Sequence, residues 1–419
     1  MNDAAYQRGH LLFQQRRFDL AAEALRESLI ASPHSAPAHA LLALCLLQQD
    51  KLQEATEEAQ AAIGCAPDFA FAHYALGAIY LQRNRFVEAE AAAREAVRLS
   101  PEEADYWGLL AQTFLARKEW AQALEAADQG LRGEPEHAMC VNLRAVALTN
   151  LGRREEAAQT IAGALGRNPL DANAHANQGW TLLHQNRAKE ALEHFREALR
   201  LNPQHEGARQ GMMAALKARH LLYRWMLRYY LFMGRLRKGG QWALIIGFWV
   251  GAQVLDAASQ KNPALRPYVL PLLVAYGVFV LATWLADPIF NLTLMVNRYG
   301  RHLLTTVQRV CAPLVGALLV AGLGMVGVAL VSGEEFWLAT GILACAVALS
   351  VATVSRFRRG GQLWLMVGYT VLVAVVGVVG IGMMVLNLDM GMTLWEAGLW
   401  GGVLSGLAAN VLGSMVVKR

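Results

Sequence analysis

The sequence predicts an all-α protein in two parts. Residues 1–205 form a helical repeat array, residues 241–419 form a polytopic membrane bundle, and residues 206–240 join them. Three observations predict this. Proline and alanine recur with a period of 34 residues through the first half. Composition then changes midway: residues 1–205 carry 20 Lys and Arg against 26 Asp and Glu, whereas residues 206–419 carry 18 against 7. The basic half also holds six stretches near the ~20 apolar residues that a membrane span needs.

The period is read from Pro33, Pro67, Pro101, Pro135, Pro169 and Pro203, each preceded twelve residues earlier by Ala21, Ala55, Ala89, Ala123, Ala157 and Ala191. A small residue recurs at Gly9, Ala43, Gly77, Ala111, Ala145 and Gly179, with a bulky one three later at Leu12, Leu46, Tyr80, Phe114, Leu148 and Leu182. Ser28, Ala62, Ala96, Gly130, Ala164 and Ala198 give the last small position. Small residues let two antiparallel helices approach, bulky ones fill the gap beside them, and proline ends the second helix. One such unit cannot bury its apolar face alone, so the units stack.

This pattern resembles the tetratricopeptide repeat, with six repeats over residues 2–205. The resemblance implies an α-solenoid whose first helices line a concave, ligand-binding face. On that face it places Tyr6, His10, Phe13, Leu44, Leu47, Gln48, Tyr74, Leu81, Gln82, Gln112, Asn142, Thr149, Asn150, Trp180 and His184. The set is aromatic, aliphatic and amidic, which suits an apolar or amidic protein segment; the competing reading is that many of these side chains pack between neighbouring helices. The family's carboxylate clamp is absent, because Tyr6, His10 and Leu41 stand at its positions. Where the consensus has tryptophan the chain has Ala5, His39, His73, Trp107, Val141 and His175, and the histidines read as packing substitutes rather than metal ligands.

Residues 206–240 begin in the place of a capping helix and become basic and aromatic. Tyr223, Trp225, Arg228, Tyr229, Tyr230, Arg235, Arg237 and Lys238 form an expected collar at the membrane interface, since aromatic rings favour the headgroup layer and Lys and Arg the anionic leaflet. Nucleic-acid binding by the same composition is disfavoured by the apolar stretch that follows.

The expected spans are 242–258, 268–287, 312–332, 336–354, 363–385 and 395–416; Gln253 and Asp256 interrupt the first, and Asp287-Pro288 ends the second. Basic residues alternate from loop to loop. Arg235, Arg237 and Lys238, then Arg298, Arg301 and Arg309, then Arg356, Arg358 and Arg359, then Lys418 and Arg419 fall on one side, which puts both termini in the cytoplasm. The stretch between the second and third spans reads as a helix lying on the cytoplasmic surface. Around Asp287, Pro288, Asn291, Tyr299 and Gly300 it is similar to bacterial proteins that join such repeats to a membrane domain, which implies a bacterial inner membrane. Asn291-Leu-Thr293 matches a glycosylation acceptor but falls on the cytoplasmic side. Glycines at 316, 322, 324, 327, 368, 377, 380, 382, 398, 401, 402, 406 and 413 suit close helix packing, within one bundle or between copies of the chain.

Five cysteines without ligand spacing read as small buried apolar residues in a reducing compartment, with no disulfide framework. Phosphate-loop, zinc-protease and serine-hydrolase motifs are missing, and Asn410 is the main polar residue expected deep in a span. The expectation is a non-catalytic membrane-anchored scaffold with no cofactor or metal and with a protein partner and the bilayer as its contacts. The alternatives are a gating component of a transporter or channel, which few mid-depth charges support, and an assembly factor for envelope complexes or surface polymers.

Overall fold

The structure is a computed structural model. It describes residues 4–218, 220–236, 238–296, 300–355, 357, 361–386 and 388–416; at 221, 222, 238, 263, 296, 300, 403 and 406–416 it describes the backbone alone. The described residues contain helices and no strand. They divide into two compact units, one comprising residues 4–208 with 234–236, the other the described residues of 209–233 with 238–416.

In the first unit twelve helices follow the sequence period: α1 (Ala4–Gln14), α2 (Phe18–Ala31), α3 (Ala36–Gln48), α4 (Leu52–Cys65), α5 (Ala70–Gln82), α6 (Phe86–Leu99), α7 (Ala104–Ala116), α8 (Trp120–Gly133), α9 (Ala138–Leu151), α10 (Arg154–Arg167), α11 (Ala172–His184) and α12 (Ala188–Leu201). Each pair is antiparallel neighbours in sequence, and α1, α3, α5, α7, α9 and α11 touch in series to make one layer. The six alanines of the period are all 0% exposed, so each marks the tightest point of its pair. Gly9 and Gly179 serve the same contact from the other helix: a Cβ there would lie 2.8 Å from Leu25 Cγ or 2.6 Å from the Phe195 ring.

Two further devices repeat with the period. The turn inside each pair passes through left-handed backbone at Arg16, Asp50, Asn84, Lys118, Gly152 and Asn186, of which only Gly152 is glycine. The ring at the consensus tryptophan position hydrogen-bonds the proline carbonyl six residues earlier. Trp107 Nε1 donates to Pro101 O at 2.8 Å, and Nε2 of His39, His73 and His175 lies 2.9, 2.8 and 3.0 Å from the carbonyls of Pro33, Pro67 and Pro169. A ring N–H at one place explains why histidine substitutes for tryptophan here.

The second unit continues helix α13 (Glu206–Lys217) and holds most of α14 (Leu221–Arg235), then α15 (Lys238–Lys261), α16 (Arg266–Val296), α17 (Gly300–Leu303), α18 (Thr306–Ser332), α19 (Glu335–Val354), α20 (Gly361–Val385) and α21 (Gly391–Val416). Among the described residues five helical segments are long and apolar enough to cross a membrane: Gly239–Lys261, Arg266–Met295, Thr306–Ser332, Glu335–Val354 and Gly361–Val385. The sixth expected span lies in α21, whose side chains from 406 on, Asn410 included, fall outside the described residues. So do Arg219, Arg298, Tyr299, Arg356, Arg358, Arg359, Lys418 and Arg419.

Two expectations change. The second span does not end at Asp287-Pro288, because α16 runs through Pro271 and Pro288 to Val296. Long apolar helices tolerate such prolines when neighbours satisfy the freed carbonyls. The expected surface helix is therefore not a separate element: its first part continues α16, its middle is the short α17, and its end starts α18 behind a Thr305–Gln308 capping box. Asn291 is 2% exposed within α16. The cysteines also differ from expectation at one place: Cys65 is exposed at the end of α4, while Cys45, Cys140 and Cys311 are buried and Cys345 is half-buried. Burial pushes the thiols of Cys45 and Cys140 up to about 12.

Candidate functional site

The layer of first helices carries the expected groove residues, but it does not bring them all to one surface. Leu44 is 8% exposed and Thr149 is 5% exposed, so both pack between helices. Tyr74 lies half-buried between Phe71 and Tyr106, at ring distances of 5.9 and 5.3 Å, and burial raises its hydroxyl pKa to about 12. Phe13 packs edge-on against Phe18, Leu47 and Leu81 lean on apolar clusters, and Tyr6 stacks on His10. Gln82 is exposed, and Gln48 opens on a separate surface cleft with Arg16, Asp19 and Lys51. In this first stretch of the array some of these side chains therefore pack between helices, while His10 and Gln82 stay exposed.

The later repeats do converge. Gln112 and Asn142 line a cavity of about 690 Å³ with Asp171, Asn173, Asn177 and His205. Asn142 Nδ2 donates to Asp171 Oδ2 at 3.0 Å, and Asn177 Nδ2 donates to Asn142 Oδ1 at 3.1 Å. Asp171 is meanwhile the N-cap of α11, accepting from the backbone N–H of Asn173 and Ala174 at 2.8 and 3.2 Å. One carboxylate thus starts the helix and anchors an amide chain on the cavity wall. Next to it, Thr149, Asn150, Trp180 and His184 line a cavity of about 220 Å³ with Val146 and Asn177. Trp180 Nε1 donates to Gly207 O at 3.2 Å, which ties α11 to the start of α13.

Arg235 bonds two of the residues that line the smaller cavity. Gly234–Arg237 belongs to the first unit, and Arg235 Nη2 donates to Thr149 O at 3.3 Å and to His184 Nδ1 at 3.0 Å. Trp120 Nε1 donates to the Arg235 carbonyl at 2.8 Å and Lys118 Nζ to the Leu236 carbonyl at 3.1 Å. His184 must be neutral to accept; burial, with help from Arg235 and Arg154, lowers its pKa to about 4. Burial and Arg154 also lower the pKa of Arg235, whose Nε is buried without a hydrogen-bond partner.

The residues of the expected interface collar make several kinds of contact. Tyr223 is 5% exposed with its ring 4.8 Å from Phe290, and burial drives its hydroxyl pKa up. Tyr229 packs edge-on against Phe279, and Tyr230 Oη donates to Thr283 O at 2.7 Å. Three of the aromatics thus contact α16. Trp225 stays exposed with the Arg228 guanidinium 5.5 Å from its ring. Arg237 and the Lys238 side chain lie outside the described residues. Nearby, the almost fully buried Lys217 ammonium meets Asp287 Oδ1 at 3.0 Å. Among the described residues no three His, Cys, Asp or Glu side chains gather as a metal site.

Sequence reasoning missed Lys118, Trp120, Asp171, Asn173, Asn177 and His205. All but Asn177 lie in inter-helix turns or the first turn of a helix, whereas the groove was read only from first-helix positions. Asp171 alone had a legible signal, as an Asp directly before an alanine-rich helix.

The family comparison agrees with the geometry. Residues 6–70, 109–162 and 142–206 match one tetratricopeptide-repeat profile and residues 70–103 another. No curated protein sequence matches the chain. Similar solved structures include YrrB, described as a TPR protein with an unusual peptide-binding site (22% identity, TM-score 0.35, 45% of this chain and 96% of that one). Others are PilF of Pseudomonas aeruginosa (23%, 0.42, 50% and 95%) and a tetratricopeptide repeat protein of Parabacteroides merdae (15%, 0.44, 51% and 83%). The first half of the chain is a tetratricopeptide-repeat solenoid.

Proposed function

From a tetratricopeptide-repeat solenoid followed by five helices able to cross a membrane, we propose that this chain is a non-catalytic, membrane-anchored scaffold. Such repeats are protein-interaction modules, and here the concave face of the later repeats takes a protein segment while the apolar helices hold it at the bilayer. The observation that carries this reading is the cavity of about 690 Å³ between α9 and α11, walled by the Asp171–Asn142–Asn177 chain. Amides present donors and acceptors together, which suits the main chain of an extended or helical segment.

Site-specific photocrosslinking of the full chain in cells tests it. A photoreactive residue at Gln112 should trap a protein partner, and one at the exposed Glu125 of α8 should not. Equal yield at the two positions would remove the reading. The proposed topology places both termini in the cytoplasm of a bacterial inner membrane. Reporter fusions after 240, 300 and 357 should then read inside, and those after 262, 333 and 390 outside; an outside signal after 240 would overturn it.

A further inference from the structure

Histidine at the consensus tryptophan position brings one atom that tryptophan lacks. Both rings can donate one N–H to the proline carbonyl, as Trp107 does to Pro101, but histidine keeps a second nitrogen. In the sixth repeat that nitrogen meets its own kind. His175 Nδ1 on α11 lies 3.1 Å from His194 Nδ1 on α12, with the ring centroids 5.4 Å apart and the planes at 36°. The protonation of His175 is set from behind: the Pro169 carbonyl, 3.0 Å from Nε2, can only accept, so Nε2 carries the proton and the Nδ1 lone pair points at His194. The repeat does not require His194. The same place in the other second helices holds Ala24, Glu58, Ala92, Ala126 and Thr160, and where it holds Glu58 the ring of His39 takes the carboxylate at 2.6 Å instead.

We propose that His175 and His194 form a zinc site that clamps α11 to α12, with the two Nδ1 atoms as ligands and water at the remaining positions. The spacing suits it. Two imidazole nitrogens bound to zinc at about 2.0–2.1 Å stand about 3.3 Å apart at the tetrahedral angle and about 2.9 Å apart at a right angle. The observed 3.1 Å lies between these, so the two helices need not move. Between neutral rings His194 Nδ1 donates to His175 Nδ1. Zinc needs only the other tautomer of His194, with that proton on Nε2 and no net change in charge. The backbone hydrogen bond of His175 is the outer support that ligating histidines usually have. Both rings are half-buried, so an ion and its waters can reach them. Glu190 and Glu197 stand four residues before and three after His194 on α12, but Arg187 and Arg200 engage them, which leaves the imidazoles as the ligands.

The test titrates zinc into the full chain in lipid nanodiscs at about pH 7.5, where the imidazoles are neutral, against a chromophoric chelator of micromolar affinity. Wild type should take up zinc in competition with the chelator. His194→Ala installs the residue that three other repeats carry, and His175→Trp keeps the bond to Pro169 while removing the ligand; each should weaken binding at least about tenfold. His73→Trp makes the same exchange where the facing residue is Ala92 and should leave the affinity within about twofold. A second measurement needs no variant: zinc should slow amide exchange in α11 and α12 of wild type more than in α5 and α6. Failure of wild type to compete with the chelator, equal binding by His175→Trp and His194→Ala, or no selective slowing in α11 and α12 overturns the site and leaves an N–H···N hydrogen bond only.

Discussion

Small residues hold both units together, but they meet different things. In the solenoid, Gly179 makes room for the Phe195 ring and Gly9 for the Leu25 side chain, and the alanines of the period are fully buried. In the bundle some of the close approaches are to backbone: a Cβ on Gly322 would lie 2.8 Å from Gly341 O, and one on Gly398 2.6 Å from Gly377 Cα, while Gly316 and Gly377 make room for the side chains of Leu292 and Leu343. The outer surfaces differ in the same sense. Pairs such as Arg85–Glu88 and Arg187–Glu190 cover solenoid helices, while Val320, Leu330 and Val378 stand exposed on α18 and α20. The difference follows from the solvent each surface suits. Water drives a ring into a gap that glycine leaves, whereas lipid offers no such drive and helices associate through close backbone packing.

The largest expected effects test that contrast directly. Phe195→Ala removes a fully buried ring and should destabilise the solenoid by about 3–5 kcal/mol. Gly398→Val pushes α21 off the α20 backbone and should cost about 1–3 kcal/mol in the bundle. Hydrogen exchange of the full chain in nanodiscs locates each loss. The comparison breaks if either substitution loosens the other unit as much as its own, or if Gly398→Val is as mild as Gly324→Val, where nothing lies within 4 Å of the new Cβ.

A pH effect comes next. His184 has its pKa lowered to about 4, against about 6.5 in an unfolded chain. Between those values the unfolded chain binds the proton more readily, so stability is full above about pH 6.5 and falls as pH drops towards 4. The loss is on the order of 3 kcal/mol at most. It should appear as faster exchange in α11 at pH 4.5 than at pH 7, with the difference greatly reduced in His184→Phe. A His184→Phe chain as acid-sensitive in α11 as wild type would assign the loss to other groups.

How much could be read beforehand follows the same division. The repeat register was legible because Pro33 and its successors and Ala21 and its successors must recur wherever the same contact recurs. The groove was half legible. Gln112, Asn142, Trp180 and His184 could be placed by register, but Asp171 and His205 enter from turns that register does not rank. The contacts of Arg235 and Tyr223 were not legible for a physical reason: basic and aromatic composition suits a headgroup layer as well as it suits an acceptor pair on α9 and α11 or a ring on Phe290. Pro288 misled for another, because a proline that ends helices in water can be carried inside a long apolar one. Of the glycines in the spans, composition could not separate Gly322 and Gly398, which touch backbone, from Gly324, Gly327, Gly368 and Gly382, which have open space.

The smallest effects sharpen the contrast most, because one substitution should carry opposite signs in the two units. Gly152 holds the left-handed turn between α9 and α10 at φ +83°, and a Cβ there would meet nothing closer than an Arg235 nitrogen at 3.9 Å. The cost of Gly152→Ala is therefore conformational, about 1 kcal/mol. Asn84→Gly at the matching turn should change stability by less than about 0.5 kcal/mol, since relief of a mild left-handed penalty is offset by a freer unfolded chain. Gly324→Ala removes the helical penalty of glycine where no contact is disturbed, so it should stabilise α18 by a few tenths to about 1 kcal/mol. Amide exchange at α9–α10, α5–α6 and α18 reads the three together. If Gly152→Ala and Gly324→Ala shift exchange in the same direction, backbone conformation is not what separates a turn glycine of the solenoid from an outward glycine of the bundle.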